Sequence, residues 1–160
     1  MSMLTLLRPA RPSDCEDIFY AHQFSVEYTC RRTYDEAVRQ AWLALLDVNG
    51  YLAAMESPTC EVWVVEYNGA IQGFFQLNLK EATLDALYVH PFVQNHGLGT
   101  ALLQRAEELA AKADLSFLKL YASTNSIGFY KLNGYESLGE YALPLNPEVS
   151  VDCELMRKYL

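Results

Sequence analysis

Between Tyr88 and Thr100 the chain reads Tyr-Val-His-Pro-Phe-Val-Gln-Asn-His-Gly-Leu-Gly-Thr. A run of β-formers ends at Val89, His90-Pro91 interrupts it, and Gly97 and Gly99 straddle the first turn of a long amphipathic stretch. A helix that begins this way aims its unpaired amides, and the positive end of its dipole, at whatever lies in front of it. Glycine omits the Cβ that would hold an anion away from the backbone. The chemistry indicated is the binding of a phosphate or pyrophosphate. A Walker loop does not fit, because no lysine follows Gly99. A dinucleotide fingerprint would need glycine where Leu102 stands. The pattern that remains is Gln/Arg-x-x-Gly-x-Gly/Ala, filled by Gln94, Gly97 and Gly99. A Gly-x-Gly helix start also serves purely structural ends, so the surrounding elements carry the decision.

Those elements are legible. Leu4 and Leu6 suggest a short first strand ending at Pro9 and Pro12. Ser13-Asp14-Cys15-Glu16 and Thr33-Tyr34-Asp35-Glu36 read as two capping boxes, each opening a helix, with Asn49-Gly50 as the stop of the second. Residues 51–59 are ambiguous. Glu61 to Tyr67 and Ile71 to Leu79 read as strands joined by Asn68-Gly69, a strong hairpin signal. Thr83 to Val89 is a third extended run. Leu98, Leu102, Ala106, Leu109 and Ala113 form the apolar stripe of a helix over 98–113. A short strand at Phe117 to Tyr121, a brief helix at Asn125 to Leu132 and two closing strands, Tyr135 to Tyr141 and Ser150 to Tyr159, complete the pattern. With no internal repeat and no linker, residues 1–160 read as a single α/β domain with a mixed sheet.

At residues 83–103, including the Tyr-Val-His-Pro lead-in, the chain resembles the acetyl-CoA-binding core of the GNAT N-acetyltransferase superfamily. Thr124-Asn125-Ser126-Ile127-Gly128-Phe129-Tyr130-Lys131-Leu132-Asn133-Gly134-Tyr135 resembles the second signature of that family. One position departs: the residue after Gln94, commonly glycine in the family, is Asn95. The resemblance implies a mostly antiparallel mixed sheet of about seven strands flanked by about four helices. It implies transfer of an acetyl group from acetyl-CoA to a primary amine by direct attack, with no metal. Carried over, Leu87, Tyr88 and Val89 would contact the pantetheine arm, and Asn125 would reach it from the other side. The pyrophosphate would rest on the amides of Gln94, Asn95, His96, Gly97, Leu98 and Gly99, with the Thr100 hydroxyl adding a bond. Tyr130 would protonate the leaving thiolate, since a phenol near pKa 10 is neutral at pH 7. The Leu87 amide would meet the oxyanion.

A base for the amine is less defined. Asp85 shares a strand face with Leu87 and Val89 by simple alternation, and Glu81 joins them if the strand starts early. His22, Arg31, Arg32 and Tyr34 fall around the helix pair that in the family borders the acceptor. The arginine pair suits a carboxylate on an amino-acid-like acceptor, whereas the excess of 20 acidic over 12 basic residues suits a cationic one. Both stay open, as does a non-catalytic acyl-CoA-binding module; retention of Tyr130 beside the glycines favours catalysis.

The net charge of −8 argues against nucleic acid and anionic membranes. No apolar window approaches the ~20 residues that span a bilayer, and the first residues are too short an apolar run for a signal peptide. Four cysteines without paired spacing suit reduced thiols, which with these absences gives a cytoplasmic expectation. The closing strands leave room for a homodimer.

Overall fold

The computed structural model describes residues 4–94 and 96–160. Its strands are β1 (Thr5–Pro9), β2 (Cys60–Tyr67), β3 (Ala70–Asn78), β4 (Thr83–Val89), β5 (Phe117–Ser123), β6 (Glu136–Pro144) and β7 (Ser150–Tyr159). The helices are α1 (Cys15–Phe24), α2 (Glu36–Leu43), α3 (Val48–Glu56), α4 (Leu98–Lys112) and α5 (Ile127–Leu132). One sheet holds all seven strands in the order β1-β2-β3-β4-β5-β7-β6. Each neighbouring pair is antiparallel except β4 and β5. The β2–β3 turn takes positive φ at both Asn68 (54°) and Gly69 (84°), the geometry that matches the twist of a two-residue hairpin.

A core lies on each face of the sheet. On one face α4 presses Leu98, Leu102, Leu103 and Ala106 against Val65, Phe75, Leu77 and Leu118. On the other, α1 and α3 bring Ile18, Tyr51 and Ala54 onto Val62, Val64 and Phe74. Each large aliphatic side chain removed from water in this way contributes roughly 1.5–3 kcal/mol. The buried stripe of α4 runs through Leu103 and Ala110, and Ala113 is exposed beyond the helix end.

Three local readings of the sequence are corrected. Ser13 does not cap α1: Asp14 accepts from the Arg11 amide at 2.7 Å and holds Arg8 through two bonds of 2.8 and 3.0 Å. Arg8 also reaches Glu66 at 2.8 Å, so a half-buried ion-pair cluster, rather than a serine cap, fastens the start of α1 to β1 and β2. Asp35, not Thr33, caps α2, accepting from the Val38 amide at 3.0 Å. Asn49-Gly50 stops nothing. Asp47 accepts from the Asn49 amide at 2.9 Å and starts α3, which carries the chain through the ambiguous segment to Glu56.

β3 and β4 approach closely where β3 has no side chain. A Cβ at Gly73 would stand 2.8 Å from the Tyr88 carbonyl oxygen, 3.2 Å from Val65 Cγ1 and 3.3 Å from Leu102 Cδ1. Gly73→Ala should therefore destabilise the protein by roughly 1–3 kcal/mol, as overpacking does. A denaturant midpoint unchanged from the parent would refute the close approach.

Candidate functional site

The site begins where the sheet stops being continuous. β4 pairs with β5 only at Thr83–Lys119 and Leu84–Leu120. β4 then stays with β3 as far as Val89, while β5 stays with β7 as far as Ser123. Between them opens a cleft of about 810 Å³, within the usual range for a ligand pocket. The His90 amide donates to the Gln72 carbonyl at 2.6 Å. Antiparallel alternation then directs the backbone groups of Tyr88 to β3 and those of Leu87 and Val89 into the gap.

A bulge shifts the faces of β4. Gln76 pairs with Ala86 and Leu77 with Leu84, leaving Asp85 as the extra residue. Leu84, Leu87 and Val89 consequently share the α4 side, and Ala86 and Tyr88 the α1 side. Gln76 lies near enough to Asp85 to favour its charged form, and the bulge takes Asp85 out of the simple alternation that puts it on the face of Leu87 and Val89. Partial desolvation raises the Asp85 carboxyl above its ordinary range, with Glu81 adding to the rise and Gln76 opposing it.

The end of β4 is tied from two directions. Ser25 Oγ donates to the Val89 carbonyl at 2.9 Å, and Gln94 Nε2 donates to the same oxygen at 3.4 Å and to Thr29 Oγ1 at 3.1 Å. Ser25 and Thr29 belong to a single widened, π-type turn, Ser25–Thr29, that continues α1. Gly97 then takes φ +76°, ψ 8° as the N-cap of α4, a left-handed backbone that costs other residues about 1–2 kcal/mol. The first helical bond runs from the Ala101 amide to the Gly97 carbonyl at 3.0 Å, so the amides of Leu98, Gly99 and Thr100 precede the ladder. Among the described residues, and apart from the adjoining chain, nothing lies within 4 Å of where a Gly97 Cβ would stand. An anion has room to approach, and donors to meet it.

The aromatic and thiol groups around the cleft are held neutral. Tyr130 is buried, with burial raising its phenol, and among the described residues its hydroxyl has no hydrogen-bond partner. Cys30 is pushed by burial up to about 11, and Cys153 is also raised by burial. Both remain thiols at neutral pH, the unreactive form. His22 is 9% exposed; its ring lies 4.2 Å from Tyr88 and its Nδ1 2.8 Å from the Tyr51 hydroxyl. Burial pulls it from 6.5 to about 3, and Nε2 is buried without a partner.

Of the residues expected from the sequence, Leu87, Tyr88, Val89, Gln94, Gly97, Leu98, Gly99, Thr100, Asn125, Tyr130, Asp85 and His22 line the cleft. Asn95 lies outside the described residues. His96 is exposed, its Nδ1 3.4 Å from the Tyr67 hydroxyl. Glu81 is in the β3–β4 turn, off the cleft wall, and Arg31 and Arg32 are exposed away from it. Tyr34 is spent on structure: its hydroxyl donates to the Asp152 carbonyl at 2.6 Å and accepts from the Thr124 amide at 2.8 Å. Sequence reasoning missed Ser25, Thr29, Trp42, Leu143, Leu145 and Val151 on the wall. A serine and a threonine in a helical run carry no distinguishing signal, and the apolar four look like ordinary core.

The profile of the Acetyltransferase (GNAT) family matches residues 16–135. A Bacillus subtilis protein, YdhI, is 31% identical over 94 residues, a match covering 53% of this chain and 59% of that protein, less than two thirds of it. The L-amino acid N-acyltransferase MnaT of Escherichia coli is 28% identical over 154 residues, covering 89% of this chain and 83% of MnaT. Among solved structures, a GCN5-related N-acetyltransferase from Rhodopseudomonas palustris superposes with TM-score 0.90 at 26% identity, covering 100% of this chain and 99% of that one. The PaiA N-acetyltransferase of Thermoplasma acidophilum, in complex with coenzyme A, gives TM-score 0.80 at 20% identity with full coverage of both chains.

The buried His22 makes stability pH-dependent with a definite sign. Between pH 6.5 and about 3 the unfolded chain binds a proton that the folded form refuses. Stability present above pH 6.5 is thus lost as pH falls, at roughly 1.4 kcal/mol per unit. Denaturation curves from pH 7 to 4 should be steeper in the parent than in His22→Phe. Identical pH slopes would show that His22 is accessible to protons.

Proposed function

Because the chain belongs to the acetyltransferase (GNAT) family, we propose that it transfers an acetyl group from acetyl-CoA to a primary amine in one direct step. The observation that carries this reading is the parting of β4 from β5 beside a glycine-started helix. One cleft thereby joins an anion cradle to a row of unpaired strand amides. The donors ahead of the α4 ladder suit a pyrophosphate, and the open space at Gly97 permits its close approach. The His96, Gly97, Leu98, Gly99 and Thr100 amides would hold it with Gln94 and Asn95. Leu87, Val89 and Asn125 would hold the pantetheine arm. Acetyl-CoA supplies the activated acyl group as a thioester.

Each remaining task has a residue on the wall. The Leu87 N–H, directed into the gap, donates to the developing oxyanion. Tyr130, kept as a neutral phenol by burial, donates a proton to the departing sulfur. Asp85, its carboxyl raised by partial desolvation, takes the proton lost by the attacking nitrogen, directly or through water. Glu81 acts on this step only through its charge. Direct attack is favoured over an acyl-enzyme because Cys30 and Cys153, the wall's cysteines, are both held as thiols.

Melting temperature should rise with acetyl-CoA and CoA and stay unchanged with ATP and NAD, since only a ligand of the folded form stabilises it. No rise with acetyl-CoA would make the α4 start purely structural. Tyr130→Phe should lower kcat at least ~10-fold while keeping the acetyl-CoA shift. Unchanged kcat would remove Tyr130 from the reaction. A shift without thiol release from any amine would point instead to a binding module.

A further inference from the structure

The cleft passes through the sheet, and its two ends differ in chemistry. One end is the start of α4 with Gln94 and the glycines. The other is walled by Trp42 of α2, Leu143 of β6, Leu145 in the β6–β7 connection and Val151 of β7. This second wall is a built feature. Tyr34 pins it, with its ring 5.9 Å from Trp42 and its hydroxyl bonded to the Asp152 carbonyl and the Thr124 amide. Leu145 and Val151 are buried, and Trp42 and Leu143 half-buried.

Charge on the cleft wall is one-sided. Among the described wall residues Asp85 is the sole carboxylate, and there is no lysine or arginine. Arg31 and Arg32 are exposed off the wall. Arg39 is also off the wall and directs its Nε to the Tyr34 carbonyl at 3.2 Å. His22 offers no cation either. It is a buried, neutral ring with Nδ1 on the Tyr51 hydroxyl.

We infer that the acceptor is a primary amine carried on an uncharged apolar body, an arylalkylamine or alkylamine, and that α-amino acids are poor acceptors. This inference rests on the acetyl-transfer reading above. The amine needs one proton acceptor, Asp85. Its apolar body needs the Trp42, Leu143, Leu145 and Val151 surface. An α-carboxylate would be desolvated against that surface with no cation to pair it and with Asp85 repelling it. A second ammonium, as on a polyamine, would meet the same apolar wall.

The test is kcat/KM for thiol release from acetyl-CoA with phenethylamine, phenylalanine and spermidine, alongside the acetyl-CoA thermal shift. Phenethylamine should exceed phenylalanine by about 100-fold or more, the order at which an apolar pocket rejects an added polar group. Comparable values, or a preference for spermidine, overturn the inference and leave acetyl transfer standing. An acetyl-CoA shift with no thiol release from any of the three overturns the acceptor class and leaves the cofactor cradle intact. Absence of the shift overturns the underlying reading, and this one with it. Leu143→Arg supplies the missing cation at a half-buried position. It should raise the phenylalanine-to-phenethylamine ratio about tenfold, and an unchanged ratio in a variant that keeps the thermal shift would show that this wall does not touch the acceptor.

Discussion

β4 and β5 lie side by side for two residue pairs and then separate, each continuing with its other neighbour. A sheet interrupted in its middle exposes strand amides and carbonyls that would ordinarily bond to one another. Buried backbone groups left unpaired are costly, so the interruption is sustainable only if something else meets them. The Val89 carbonyl is met by Ser25 and Gln94. The backbone of Leu87 remains directed into the cleft, where a ligand's amide groups can complete the interrupted ladder. The cleft and its two walls follow from this separation.

The separation is held by parts distant in sequence. The widened turn after α1 supplies Ser25 and Thr29; the loop after β4 supplies Gln94. Together they fix the end of β4 relative to the start of α4, so the strand edge and the helix start that border the cleft are positioned as one unit. Across the gap, Tyr34 joins the α1–α2 connection to β7 and to the turn before α5. These few bonds set the width of the opening.

Burial governs the electrostatics inside it. His22, Cys30 and Tyr130 are each held in the uncharged form by desolvation. Asp85 is shifted in the same direction while staying open to solvent, which lets it exchange a proton with water. An interior of neutral donors and acceptors with one carboxylate at its edge suits proton transfer from an amine and to a thiolate, and provides little for a bound anion apart from the amides of α4.

The sequence alone determined the elements with strong periodic or turn signals. β4 and β7 were readable to the residue, the Asn68-Gly69 hairpin followed from turn chemistry, and α4 from its stripe and glycines. The glycine start of α4 and the place of Tyr130 on the cleft wall were legible because their residue types and spacing are local. Helix starts were less so: Asp14 could cap or pair, and only the arrival of Arg8 from β1 decided for the ion pair. α3 was hidden because Asn-Gly is a stop signal in isolation, while Asp47 and packing on β2 and α1 override it. The face of Asp85 depended on a bulge that no single strand records, since a bulge is a mismatch between two strands. The apolar wall of the cleft belonged wholly to tertiary structure. Trp42, Leu143, Leu145 and Val151 come from separate elements, and whether an apolar residue packs in a core or lines a cleft is decided by what the fold leaves opposite it.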